Sequence, residues 1–273
     1  MNRWWDLVSR GQPLADELVI DAHAHMGPWQ AFAIPADPSA AGMVRRMDLV
    51  GVRCCIAAPH YGIGPDMVAA NRIAEDAARS FPGRILPYCC VSPNVPAEAI
   101  IAELGRMLLP RDRPIAVGIK IHPSMHAYPA VGERYRPMWE FAQEHAIPVL
   151  AHTWAGDPHC RPSAFLDVAR RYPSVPIILG HSGGSWAGVD EALEAALARD
   201  TLVLDITASL LKQGLLERMV RTVGSERILF GTDLPFIDCR AQIGYVASAR
   251  INDEEKRRIF GLNAAWVFGM AVA

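Results

Sequence analysis

The chain has 273 residues, 51% of them apolar, and a formal charge of −2, so it can bury one large core. With no long basic run and no basic face interleaved with aromatics, nucleic acid is set aside as a partner. No stretch of about 18 uninterrupted apolar residues is present, which argues against a membrane span, and residues 1–17 lack the apolar segment of a secretory signal.

Taken in chain order, short apolar runs alternate with amphipathic stretches. Strands are expected at 18–24, 52–58, 85–91, 115–121, 147–151, 175–180, 202–206 and 228–231, and helices at 41–50, 67–80, 97–109, 135–145, 164–172, 190–199 and 215–223. An extension, 1–17, precedes them and one or two closing helices follow within 252–270. Pro137 suits the first turn of its helix, and Pro82 and Pro173 suit positions just past a helix end. Eight strands separated by helices imply a parallel sheet covered on both faces. At about 250 residues for the usual example, the expectation is a single-domain α/β protein, a (β/α)₈ TIM barrel. A doubly wound open sheet would instead favour a glycine-rich phosphate loop after an early strand. The first strand here runs into Asp-Ala-His-Ala-His at 21–25, the wrong chemistry for a dinucleotide.

The six cysteines form no C-x-x-C pair, so a thiolate zinc site is not expected. Reduced thiols and a cytoplasmic location are the default reading.

The nine histidines are the most informative residues. Six of them, His23, His25, His60, His122, His152 and His181, fall at or within two residues of the C-terminal end of a predicted strand, where a barrel of this kind keeps its active site. His126 and His159 lie in loops just beyond, and His145 is read as a cation in the last turn of a helix. His23 and His25 are two apart on one strand and share a face, and Asp21 has the same phase. Lys120 and His122 share a face on the fourth strand, and Asp233 follows the eighth in phase with Gly231. Imidazoles with a carboxylate suit Zn²⁺, and also Mn²⁺ or Fe²⁺. Asp21 reads as a partner that fixes an imidazole tautomer, and Asp205 as structural. His60, Trp154 and Arg161 follow strands and are candidates for lining the substrate pocket.

This ordered set resembles a known family. Asp-Ala-His-Ala-His at 21–25 is similar to the H-x-H signature of the amidohydrolase superfamily. Gly-Ile-Lys-Ile-His-Pro at 118–123, Leu-Ala-His-Thr at 150–153, Leu-Gly-His-Ser-Gly-Gly at 179–184, Leu-Phe-Gly-Thr-Asp-Leu-Pro at 229–235 and Asn-Ala-Ala-Trp-Val-Phe-Gly at 263–269 resemble its amidohydrolase-2 branch. That branch contains aminocarboxymuconate-semialdehyde decarboxylase and γ-resorcylate decarboxylase alongside hydrolases. The resemblance implies one divalent metal, zinc by default, held by His23, His25, His152 and Asp233. It also places His181 and Asp233 as catalytic groups, with His122, Lys120, His60, Trp154 and Arg161 around the substrate. In related branches a lysine at the position of Lys120 is carboxylated and bridges two metals; here that stays open.

Two reactions follow from such a site. In the first, metal-activated water attacks an ester, lactone or amide of a small molecule. In the second, an aromatic or conjugated carboxylic acid loses CO₂ without an oxidant, which calls for a cation such as Arg161 or Arg240 and a dry wall for the ring. The loop after the first strand, 26–39, is short, and this favours the hydrolase. A barrel that has lost catalysis and only binds is a third reading, opposed by the intact His/Asp set. Relatives often form homodimers, and Trp266 and Phe268 are available to a core or to an interface.

Overall fold

The computed structural model describes residues 3–29, 31–110, 112–207 and 211–271. Its strands are β1 (Ile20–Met26), β2 (Cys54–Pro59), β3 (Ile85–Cys90), β4 (Gly118–Ile121), β5 (Val149–His152), β6 (Ile177–Gly180), β7 (Leu202–Asp205) and β8 (Ile228–Leu229). Each pairs in parallel with the next in one eight-stranded sheet. The two edges meet through backbone hydrogen bonds, from Ala22 N to Phe230 O and from Asp233 N to His23 O, each 2.9 Å. The barrel expected from the alternation of elements is thus formed within one domain.

The helices are α1 (Arg3–Ser9), α2 (Ala40–Val50), α3 (His60–Ile63), α4 (Met67–Ser80), α5 (Ala97–Leu108) and α6 (Arg136–His145) in the first half. In the second half come α7 (Phe165–Arg171), α8 (Trp186–Ala198), α9 (Leu215–Val223), α10 (Cys239–Ser248), α11 (Asp253–Arg257) and α12 (Asn263–Val267). Local chemistry sets their ends. Ser39, Asp66 and Ser185 each cap a helix by accepting from a backbone N–H in the first turn. Asn252 and Glu255 form a reciprocal capping box at α11. Pro137 sits in the first turn of α6, where a missing N–H costs little.

Three elements were not foreseen. Helix α1 has no recognisable period in its seven residues. It is held by Trp4, which is 1% exposed, stacks on Phe260 at 5.3 Å and donates from Nε1 to Asp253. Helix α10 is only weakly amphipathic, and α3 is a single turn, too short to show a period. The extension from residue 3 to 17 and the closing helices therefore form one cap on the barrel.

The interior is filled by large side chains that satisfy their polar atoms. Tyr88 crosses it and donates its hydroxyl to Ala22 O at 2.6 Å. Gly118 leaves room beside it: a Cβ there would stand 3.0 Å from Phe268 and 3.1 Å from Tyr88. Phe268 is therefore core, whereas Trp266 is 79% exposed. All six cysteines are buried and unbridged. Among the described residues no helix is long and apolar enough to cross a membrane.

Candidate active site

The sheet delivers its polar residues to one rim. His23 and His25 lie on β1, Lys120 on β4, His152 on β5 and Asp205 on β7, while His60, His122, His181 and Asp233 follow β2, β4, β6 and β8 directly or within a few residues. The register of β1 against β2 shifts between Asp21 and Ala24, across the residues that carry His23; such irregularities re-aim side chains near functional sites. His181 and Asp233 both adopt positive φ, 61° and 64°. Conformations of this kind carry strain and collect at functional sites.

Hydrogen bonds fix the imidazoles. His23 Nδ1 donates to Asp205 Oδ2 at 2.5 Å, which leaves the lone pair on Nε2; Lys120 Nζ approaches that atom at 2.9 Å. His25 Nδ1 donates to the carbonyl of Ala58 at 3.0 Å, so its Nε2 also carries a lone pair. That nitrogen stands 3.3 Å from Asp233 Oδ1, and His23 Nε2 stands 3.9 Å from the same oxygen. One ligand atom each of His23, His181 and Asp233 lies within 4.8 Å of the others. Asp233 Oδ1 and His181 Nδ1 are buried with no hydrogen-bond partner. Acceptor atoms gathered this closely in a buried place suit a cation. The donor set, imidazole nitrogens with a carboxylate, fits a divalent transition metal.

The charges agree with this. Burial pushes His23, His152 and His181 below the usual histidine range, so they are neutral donors at neutral pH. Burial works against the charge of Asp233, but the imidazoles facing it more than offset that and hold it well below the carboxylate range. Lys120 is wholly buried and is lowered by that burial to about 8, with Asp233 and Asp205 acting in the opposite sense.

The two buried aspartates exchange the roles expected of them. Asp21 does not touch an imidazole: it accepts from Thr232 Oγ1 at 2.5 Å and from the backbone N–H groups of His23 and Thr232, each at 3.1 Å. It ties β1 to the segment after β8, and burial raises it to about 7. Asp205, read from sequence as structural, orients His23 and is itself held by the backbone N–H and hydroxyl of Thr207. Its place at the end of a barrel strand was the available signal.

The remaining candidates divide. His122 stacks face to face on His152 at 3.9 Å, and His152 in turn stacks on Trp154 at 6.0 Å and meets His181 edge-on at 4.7 Å. His122, His152, Trp154 and His181 thus form one wall. The glycines after His181 serve this packing: a Cβ on Gly184 would lie 2.2 Å from the Trp154 ring. Arg161 is not brought to the site. It is exposed and pairs with Glu191 at 2.8 Å, as Arg240 pairs with Asp238. His159 pairs with Asp157 in the loop after β5.

His60 belongs to a second wall that histidine counting did not reveal. Its ring stacks on Phe236 at 4.4 Å and on His25 at 5.5 Å. Trp29 packs against His60 at 5.4 Å and Phe236 at 5.7 Å, and Phe32 lies on Phe236 at 4.9 Å. Beside them opens a cleft of about 280 Å³ lined by Pro28, Trp29, Ala31, His60, Tyr61, Gly64, Pro65 and Met125, with no charged side chain among them. Trp29 and Phe236 could have been suspected, since each lies in the loop directly after a metal-type residue. The arrangement can hold a cation at its floor and a flat apolar group at its mouth.

The family model described as Amidohydrolase matches residues 20–270. A search of curated proteins finds no match. Among solved structures, the chain is similar to 5-carboxyvanillate decarboxylase from Novosphingobium aromaticivorans, complexed with manganese and 4-hydroxy-3-methoxy-5-nitrobenzoic acid. The TM-score is 0.75 at 15% identity, covering 94% of this chain and 97% of that one. It is also similar to a dihydroxybenzoic acid decarboxylase from a Polaromonas species, with bound manganese and the inhibitor 2-nitroresorcinol (TM-score 0.68, 18% identity, 94% and 98% covered). An uncharacterised TIM-barrel protein from Bordetella bronchiseptica matches at a TM-score of 0.72 with 16% identity, covering 92% and 98%. At these identities the likeness shows a shared barrel.

Proposed function

This chain belongs to the amidohydrolase family, and on that premise we propose that it is a metal-dependent decarboxylase releasing CO₂ from an aromatic or conjugated carboxylic acid. The observation that carries this reading is the aromatic-walled, uncharged cleft beside the His/Asp cluster. Structural neighbours that are decarboxylases of substituted benzoic acids support it. Hydrolysis of an ester, lactone or amide, favoured above on the short loop after β1, loses its ground. Trp29 and Phe32 on that loop pack onto Phe236, so a short loop already provides a dry wall.

His23, His25, His152 and Asp233 would hold the metal, with Zn²⁺, Mn²⁺ and Fe²⁺ all compatible with these donors and manganese the ion of the two similar decarboxylases. When bound, a divalent ion supplies Lewis acidity, drawing electrons from a substrate oxygen. The residues do the rest. The aromatic wall seats the ring and excludes water. A proton taken up by His181 passes to the ring carbon that bears the carboxylate, while Asp233 stays ionised beside it. The bond from that carbon to the carboxyl carbon then breaks, its electron pair returns to the ring, and CO₂ leaves. No oxidant is consumed, and the catalytic group is reprotonated from water. Arg161 and Arg240, each engaged by an acid at the surface, are not needed as carboxylate anchors.

The test is to load the purified chain with manganese or zinc and offer hydroxybenzoates, followed by measurement of CO₂ and of the decarboxylated arene. Aryl esters and lactones are run in parallel. CO₂ release that is abolished in Asp233→Asn supports the reading; turnover of lactones or esters with no CO₂ from any acid overturns it in favour of hydrolysis.

A further inference from the structure

Four successive residues after β6 turn through the left-handed region: His181 at φ 61°, Ser182 at φ 44°, Gly183 at φ 82° and Gly184 at φ 68°. Glycine enters this region freely. A residue with a side chain does not, because its Cβ crowds the following carbonyl oxygen. His181 and Ser182 therefore need support from outside the turn, and two hydroxyls supply it. The β6–β7 ladder ends at Leu179 opposite Leu204. The next residue of β7 is Asp205, and one side chain meets both its backbone groups. Ser182 Oγ donates to the Asp205 carbonyl at 2.7 Å and accepts from the Asp205 N–H at 3.2 Å. From the other side Thr153, just past β5, donates from Oγ1 to the carbonyl of Gly180 at 2.6 Å and accepts from the N–H of Gly183 at 2.9 Å. Ser182 and Thr153 are both buried, so removing either hydroxyl leaves buried backbone groups unpaired.

The clasp has a chemical consequence. Held in left-handed backbone, His181 brings its ring centre to 4.8 Å from that of His23 and 4.7 Å from that of His152. Right-handed backbone at the same place would send its Cα–Cβ bond in another direction. Ser182 also ties this turn to the residue that orients His23, since the Asp205 whose backbone it grips is the Asp205 whose carboxylate holds His23 Nδ1. One hydroxyl thus sets the proton carrier in register with the cation site. We propose that Ser182 and Thr153 are positioning residues for His181, clasping it in a strained turn so that its imidazole faces the ring carbon that is to be protonated. Both hydroxyls are fully engaged within the clasp, so they act through His181 and not on substrate. The proposal rests on the reading of His181 as proton carrier in a decarboxylase, although the clasp itself does not depend on the reaction.

The test compares wild type with Ser182→Ala, Ser182→Gly, Thr153→Val and Thr153→Ser, each as the full-length, metal-loaded chain. Rates of CO₂ release from the manganese-loaded proteins give kcat and KM for the acid that wild type turns over. Histidine side-chain NMR of the zinc-loaded proteins follows the His181 ring, its signals assigned by their loss in His181→Gln. Thr153→Val keeps the shape of threonine without its hydroxyl. It and Ser182→Ala are expected to lower kcat about 10- to 100-fold, the effect of a misplacement of about 1 Å. KM stays within about twofold, metal content is unchanged, and the His181 signals shift or broaden. Thr153→Ser, which keeps the hydroxyl, brings kcat and the signals back to near wild type. If Ser182→Ala does not fold, Ser182→Gly, which accepts left-handed backbone, carries the same expectation. The proposal is overturned if the His181 signals of Ser182→Gly and Thr153→Val stay where they are in wild type, whatever happens to stability, or if KM alone changes. If wild type releases no CO₂ from any acid, the decarboxylase reading falls, and the NMR comparison still decides the clasp: unmoved His181 signals sink it and moved signals uphold it.

Discussion

Asp205 and His23 share the shortest hydrogen bond made by any imidazole in the cluster, 2.5 Å from Nδ1 to Oδ2, between two side chains that are each 1% exposed. The carboxylate keeps the hydrogen on Nδ1, so the face of the ring that meets Asp233 presents a lone pair. Asp205→Asn offers an amide that pairs less well and lets the ring turn over. Metal affinity is expected to fall about 10- to 100-fold, the usual loss when such an orienting partner is removed. Competition with a chelator measures this. An unchanged affinity, with normal folding, would return Asp205 to a structural role.

Metal content separates ligands from proton carriers. Wild type is expected to hold one equivalent after reconstitution, and His25→Ala or Asp233→Ala to hold far less than one. His152→Ala is expected to lose the metal and His181→Ala to keep it while losing turnover. His181 shares one compact cluster with His23 and Asp233, which makes the opposite result informative: metal lost in His181→Ala and kept in His152→Ala would exchange their roles. Two equivalents in wild type, reduced to one by Lys120→Met, would make Lys120 a bridging group.

Strand positions and the histidine rim were legible because both depend on local pattern. β-Branched runs mark a barrel strand, and residues at strand ends reach one face whatever the rest of the chain does. The roles of Asp21 and Asp205 were not legible. Parity places Asp21 in phase with His23, but which carboxylate reaches Nδ1 depends on β7 coming close to β1 across the barrel mouth. The aromatic wall was hidden for the same reason. Trp29 and Phe236 are far apart in the chain and meet only because β1 and β8 are neighbours in the closed barrel. Helix α1 depends on a single buried tryptophan against the far end of the chain, which no short-range period records.

Gly231 and Gly105 should respond in opposite ways to alanine. A Cβ on Gly231 would lie 2.1 Å from Thr207 Oγ1, 2.8 Å from His23 Cβ and 3.0 Å from Asp205 Oδ1. These atoms are held in the network behind the site and have no room to move. Gly231→Ala is expected to cost about 1–3 kcal/mol, as overpacking does, and to lower metal affinity through His23. Gly105 lies within α5 and a Cβ there meets nothing within 4 Å. Gly105→Ala is expected to gain about 0.4–1 kcal/mol by restricting the unfolded chain. Denaturant unfolding of both variants checks the pair.

Acid stability provides a test away from the metal-type residues, at His126. It is 4% exposed, its Nδ1 shares a 2.7 Å hydrogen bond with the Tyr135 hydroxyl, and the Gly62 backbone acts on the ring to favour its charged form. Burial lowers it from 6.5 to about 4. The unfolded chain therefore takes up this proton first. Between about pH 6.5 and pH 4 the unfolded state binds a proton that the folded state does not, so the contribution of His126 to stability falls as pH falls and levels off below about 4. The full change is on the order of 3 kcal/mol. His126→Gln does not titrate. Its deficit relative to wild type should be largest at pH 7.5, where the lost Tyr135 contact is felt alone, and should shrink steadily towards pH 4. Urea unfolding of both proteins across this range reads the difference. A deficit that stays constant from pH 7.5 to pH 4 would mean that His126 takes up its proton in the folded protein as readily as in the unfolded chain.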